Sequence, residues 1–110
     1  MKPGFEALWN SILEDCGTES IPELKLRALA VLAGPEEMQF LLAEYERNGA
    51  EWQALIASGE DAGDGSDEYW RASVSLTKAF EYAGSRGIDF LRSASGADRL
   101  LSHLTEIRNR

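Results

Sequence analysis

Residues 20–37 read SIPELKLRALAVLAGPEE, and the run inside them from Leu24 to Ala33 decides the fold class. Eight of its ten positions are apolar, seven of those are Leu or Ala, and only Lys25 and Arg27 interrupt it. Leu and Ala are strong helix formers, and a helix that is apolar nearly all round belongs inside a bundle. The run therefore predicts the central, most buried helix of an all-α chain. Ser20, Pro22 and Glu23 in front of it have the spacing of a capping box with proline in the first turn. Gly34-Pro35 ends it and opens a third helix, with Glu36 and Glu37 at that helix's positive end.

The same period extends in both directions. Phe5, Leu8, Trp9, Ile12, Leu13 and Cys16 recur at i, i+3, i+4, i+7, i+8 and i+11, a first helix that Gly17 is placed to stop. Met38, Leu41, Leu42, Tyr45, Trp52, Leu55 and Ile56 hold one face of the third helix over about 20 residues, roughly 30 Å, up to Ser58-Gly59. Gly49 falls on that stripe without shifting its register, which predicts a close helix contact or a bend ahead of an outright break. Residues 60–66 read as a loop. Ser66 or Asp67 then caps a fourth helix carrying Tyr69, Trp70, Ser73, Val74, Leu76, Thr77, Phe80 and Ala83. Gly84 to Gly87 ends it, 88–94 reads as a short helical turn, and Ser95 with Asp98 caps a last helix holding Ala97, Leu100, Leu101, Leu104 and Ile107. The expectation is a single helical domain over 1–110: a compact bundle of about five helices, roughly antiparallel, around the central apolar one.

Composition agrees. The 110 residues include 14 Leu and 14 Ala against 7 Val and Ile together, and 44% are hydrophobic, enough for one core at this length. Formal net charge is −8, so a duplex would be met with repulsion and no direct nucleic-acid partner is expected. The surplus sits in the first half: 1–60 carry 4 basic and 11 acidic side chains, 61–110 carry 7 and 8. Cys16 is the single cysteine, so no disulfide forms within the chain. The start has no apolar run of signal-peptide length, and no uncharged apolar stretch reaches about 18 residues. A cytoplasmic protein without membrane contact is the expectation.

Catalytic apparatus is not visible. Glu60, Asp61, Asp64, Asp67 and Glu68 place five carboxylates within nine residues. Counted from Asp61, however, a calcium loop would find Gly63 at its third position, Ser66 at its sixth and Ala72 at its twelfth, none of which fits. His103 is the only histidine and stands without ligands at metal spacing, and Cys16 ends a helix, where the dipole disfavours a thiolate. Glu36 and Glu37 are neighbours in sequence and diverge by about 100°, so they share neither proton nor metal. No catalytic residue, cofactor or metal is expected.

The expected function is a non-catalytic, acidic helical module that binds another protein with a basic surface, either as an inhibitor or immunity-type protein or as a small subunit of an assembly. Its candidate contacts are Phe40, Glu44, Asp61, Asp64, Asp67, Trp70 and Tyr82. Phe40 lies about 160° from Met38, on the side of Ala43 and Arg47, so it either reaches another helix of the chain or belongs to an exposed patch. Tyr82 is likewise opposite Trp70 and Thr77. The heptad-like spacing over 35–58 also permits a homodimer. Two alternatives stand behind this reading. One is a metal-dependent enzyme with carboxylates from different helices. The other is a helix-turn-helix regulator reading DNA with residues 95–107.

Overall fold

The computed structural model describes residues 1–16, 20–59 and 62–108, the side chains of 62–67 and 107–108 excepted. Six helices follow one another: α1 (Phe5–Asp15), α2 (Glu23–Leu32), α3 (Pro35–Ala57), α4 (Ala62–Ala83), α5 (Ser85–Ser93) and α6 (Asp98–Arg108). No strand occurs among the described residues. Gly17, where α1 was expected to stop, lies outside them, and so does the side chain of Ile107. The radius of gyration, 13.9 Å, is close to the roughly 13 Å of a compact chain of this length.

The helical periods of the sequence become the core. In α1, Phe5, Trp9 and Ile12 point inward and are almost fully buried, with Cys16 continuing the line just past the helix. They meet Leu26, Leu29, Leu41, Leu42, Leu76, Phe80, Leu91, Leu100 and Leu104 in one cluster. Each such side chain removed from water contributes about 1.5–3 kcal/mol before conformational entropy is subtracted.

The hub of this cluster is α4, where α2 was expected. α4 packs against each of the other five helices and buries Ser75, Leu76, Ala79 and Phe80. Length explains the exchange. The 22 residues of α4 span about 33 Å and the 10 of α2 only about 15 Å, too short to be surrounded by five neighbours. α2 therefore turns Leu26, Leu29 and Ala30 toward α1 and α4 and leaves its other face in solvent.

The start of α2 also differs from the capping-box reading. Pro22 is the N-cap, so Ser20 stands two residues too early for its hydroxyl to reach the first free amides, and no side-chain cap forms. The far end of α2 is capped from elsewhere in the chain. Arg86 donates to the carbonyls of Ala30 at 2.7 Å and Ala33 at 3.0 Å, and Lys2 Nζ donates to that of Leu32 at 2.6 Å.

α3 begins as its sequence predicts, with Pro35 in the first turn and the Gly34 amide donating to Glu37 Oε1 at 2.9 Å. Lys2 adds its backbone N–H at 3.1 Å and its ammonium at 3.2 Å to the same carboxylate. These donors favour the charged form, the Gly34 amide most of all, and hold the Glu37 pKa down to about 2. The helix then runs unbroken through Gly49. A Cβ there would meet nothing within 4 Å, so the close contact expected at Gly49 does not form.

Two further segments correct the sequence reading. α4 starts at Ala62, so residues 62–66 are helix rather than loop, and no cap at Ser66 or Asp67 is needed. Asp64 and Asp67 fall in its first two turns, where the helix's positive end favours acids. The stretch after Gly84 is a nine-residue helix, α5, rather than one turn, which brings the count to six. Gly84 takes φ +65° and ends α4 there. Gly87, inside α5, lies so close to α4 that a Cβ would stand 2.9 Å from the Phe80 carbonyl oxygen. No described helix is long and apolar enough to cross a membrane.

Candidate functional site

Between α1, α3 and α4 the packing leaves a cleft of about 590 Å³. Trp9, Leu13 and Leu76 contribute apolar atoms to its wall, and four carboxylates stand around them: Glu14 from α1, Glu44 and Glu51 from α3, and Glu68 from α4. The local sequence explains the α3 edge. Glu44, Arg47 and Glu51 are spaced i, i+3 and i+7, one side of a helix, so the guanidinium bridges Glu44 at 2.5 Å and Glu51 at 3.2 Å. This pairing, with Glu44 the stronger partner, raises the pKa of Arg47 still further above its ordinary value.

The α4 edge is fixed by Asn48, which is buried and donates from Nδ2 to the Tyr69 carbonyl at 2.9 Å. That bond sets α3 against α4 in register and places Glu68, Tyr69 and Arg71 on the cleft. The Nε of Arg71 is buried and has no hydrogen-bond partner among the described residues. Four carboxylates against two guanidinium groups leave the lining with two net negative charges. Such a site attracts a cationic side chain and offers its stem the half-buried Leu13 and Tyr69.

The sequence candidates divide among several places. Glu44 lines the cleft. Phe40, one turn earlier on the same side of α3, is half-buried against the core and meets the Phe5 ring edge-on at 6.2 Å, so it serves the first of its two readings. Trp70 follows Tyr69 and is 42% exposed. Tyr82 lies elsewhere, half-buried beneath Arg27 of α2, whose guanidinium carbon sits 4.5 Å over its ring, with Lys78 Nζ at 5.9 Å. Asp61 and the side chains of Asp64 and Asp67 are outside the described residues. The structure thus gathers Glu44 with Glu68, noted in the sequence only as part of the acidic run from Glu60, and with Glu14, Glu51 and Arg71, which the sequence reading did not single out as contacts. The i, i+3, i+7 charge pattern of α3 was the signal for Glu51, and the acidic run from Glu60 that for Glu68.

A second missed feature is the outward face of α2. Leu24 is 84% exposed, Val31 76% and Leu32 44%, and Ala28 between them is exposed as well. All-round apolarity was the reason to bury this helix; the fold buries half of it. Among the described residues, no three His, Cys, Asp or Glu side chains gather in a way that could hold a metal ion. His103 is exposed on α6, where Asp98 and Glu106 equal Arg99 and Arg108 in number. Comparison with protein-family models, with curated proteins and with solved structures finds no match to this chain.

Proposed function

We propose that this chain is a non-catalytic, acidic protein-interaction module and that its cleft between α1, α3 and α4 receives a lysine or arginine side chain from a basic partner. The observation that carries this reading is the convergence of Glu14, Glu44, Glu51 and Glu68 on one cleft with only Arg47 and Arg71 to balance them. The disposition of five other cations supports it, while Arg92 and Arg99 are exposed on α5 and α6, away from the cleft. Lys2, Lys25 and Lys78 are paired with Glu37, Asp15 and Glu81. Arg86 is held on carbonyls and Arg27 on Tyr82, while Glu6, Glu14, Glu23 and Glu68 face solvent. An inhibitor that covers a basic site, or a small subunit that docks on one, uses this complementarity.

A titration of the 15N-labelled chain with a short Lys/Arg-rich peptide tests it, with a peptide of equal length lacking the charges as control. Amides around Glu44, Glu68 and Arg71 should shift, and the affinity should fall at least about tenfold between roughly 50 and 300 mM salt, because screening shortens the reach of the field. The double variant Glu14→Lys with Glu68→Lys, both on exposed positions, should weaken binding by a similar factor. Shifts spread evenly over the surface, or unchanged affinity in the variant, would remove the cleft from the reading.

A further inference from the structure

We propose that the outward face of α2 pairs with the same face of a second copy of this chain, antiparallel across a two-fold axis. Leu24 and Val31 are seven residues apart, two turns along one line of the helix, with Ala28 between them. Reversed and laid on itself, this pattern puts Leu24 of one copy against Val31 of the other and leaves the small Ala28 at the crossing, where two helices come closest. The face is therefore complementary to itself, the condition for a closed two-fold contact. Arg27, which would intrude from the flank, is held back over Tyr82 at 4.5 Å.

Charge opposes a second copy on α1 and α3 far more than on α2. α1 carries Glu6, Glu14 and Asp15 without a base, and α3 carries five glutamates against Arg47, so either helix would meet its own copy with strong repulsion. α2 carries Glu23, Lys25 and Arg27, a net +1 in a chain of −8. α5 has the same net charge but displays no large exposed apolar side chain. In the antiparallel arrangement Glu23 at the start of one α2 approaches the end of the other, where the half-exposed Lys2 ammonium sits on the Leu32 carbonyl. The opposed helix dipoles add to this attraction. Only the first half of the stripe on α3 is committed: Met38, Leu41 and Leu42 are buried in the chain's own core, while Ile56 at its far end is 53% exposed on a helix whose net charge opposes a second copy.

One short helix face is smaller than the interface of a tight complex, so the dissociation constant falls in the micromolar range. Sedimentation equilibrium of the full chain from about 5 μM to about 1 mM should show the mean mass rising from the 12.1 kDa monomer toward twice that value. Val31→Glu, at a solvent-exposed position, should raise the dissociation constant at least about tenfold, because the charge would have to be desolvated in the pair. An equimolar mixture of Leu24→Cys and Val31→Cys chains, equilibrated with oxidised glutathione, should yield the mixed disulfide in excess over both same-residue disulfides. A chain monomeric throughout the range, or a Val31→Glu variant that associates as the wild type does, overturns the pairing. An excess of same-residue disulfides overturns its antiparallel direction. Because the cleft lies on other helices, peptide binding there survives or fails independently of these outcomes.

Discussion

Gly49→Ala and Gly87→Ala make the same chemical change inside two helices and should alter stability in opposite directions. In a helix interior alanine is favoured over glycine by about 1 kcal/mol, since it loses less backbone freedom on folding. At Gly49 nothing stands within 4 Å of the added Cβ, so the gain should appear nearly whole: about 1 kcal/mol, or a Tm higher by roughly 3–5 °C in a chain of this size. At Gly87 the Cβ would lie 2.9 Å from the Phe80 carbonyl oxygen and 3.3 Å from the Ala83 Cβ. Both belong to the α4 backbone or its root, so relief requires α5 to move off α4 and to loosen the stack of Phe80 on Phe90. Overpacking of this kind costs about 1–3 kcal/mol. Set against the same helix gain, it leaves a net loss of about 1 kcal/mol, so the two variants should differ by about 2 kcal/mol. Urea titration followed by circular dichroism measures both at once, with the slope m as a check that the transition stays two-state. If Gly87→Ala proves as stabilising as Gly49→Ala, α5 does not lie against α4 as described.

Arg86→Ala should lower stability by about 1–2 kcal/mol through loss of its two bonds to the end of α2, and Arg86→Lys, which cannot span both carbonyls, should recover only part of it. An unchanged urea midpoint in the alanine variant would mean that the guanidinium cap contributes nothing. Glu37 has a depressed pKa in the folded chain, about 2 against 4.5 for the free side chain, so its contribution is present above pH 4.5 and is lost as pH falls through about 2. The stability gap between wild type and Glu37→Gln should therefore be constant near neutrality and shrink steadily from about pH 4.5 to about pH 2. A gap that keeps its size across that window would refute the assignment.

The carboxylate cleft shows why function was harder to see in the sequence than fold. Glu44 was one of the candidate contacts, yet its companions Glu14 and Glu68 come from residues 30 positions before and 24 positions after it. Nothing in the spacing of one helix reports which side chains of another will stand across from it. Helix periodicity reports the inward face because a 3.6-residue repeat is local. Phe5, Trp9 and Ile12 in α1, or Met38, Leu41 and Leu42 in α3, could thus be placed in the core directly.

By itself, the sequence determined that this protein is an all-α bundle with an anionic exterior, and it determined the start of α3 at Gly34-Pro35, because propensity, period and capping act within a few residues. Tertiary structure alone decided which helix is central. Local signal favoured α2 for its all-round apolarity, but its 10 residues are too short to touch every other helix as the 22 of α4 do, so α2, although the most apolar stretch, keeps Leu24 and Val31 in water. Tertiary structure also decided the end of α2, since its capping donors, Arg86 and Lys2, arrive from more than 50 residues ahead and 30 behind. It turned Gly87 from a presumed helix stop into the contact point of α5 on α4 as well. In each case the deciding quantity is a distance between segments far apart in the chain, which no reading of neighbours contains.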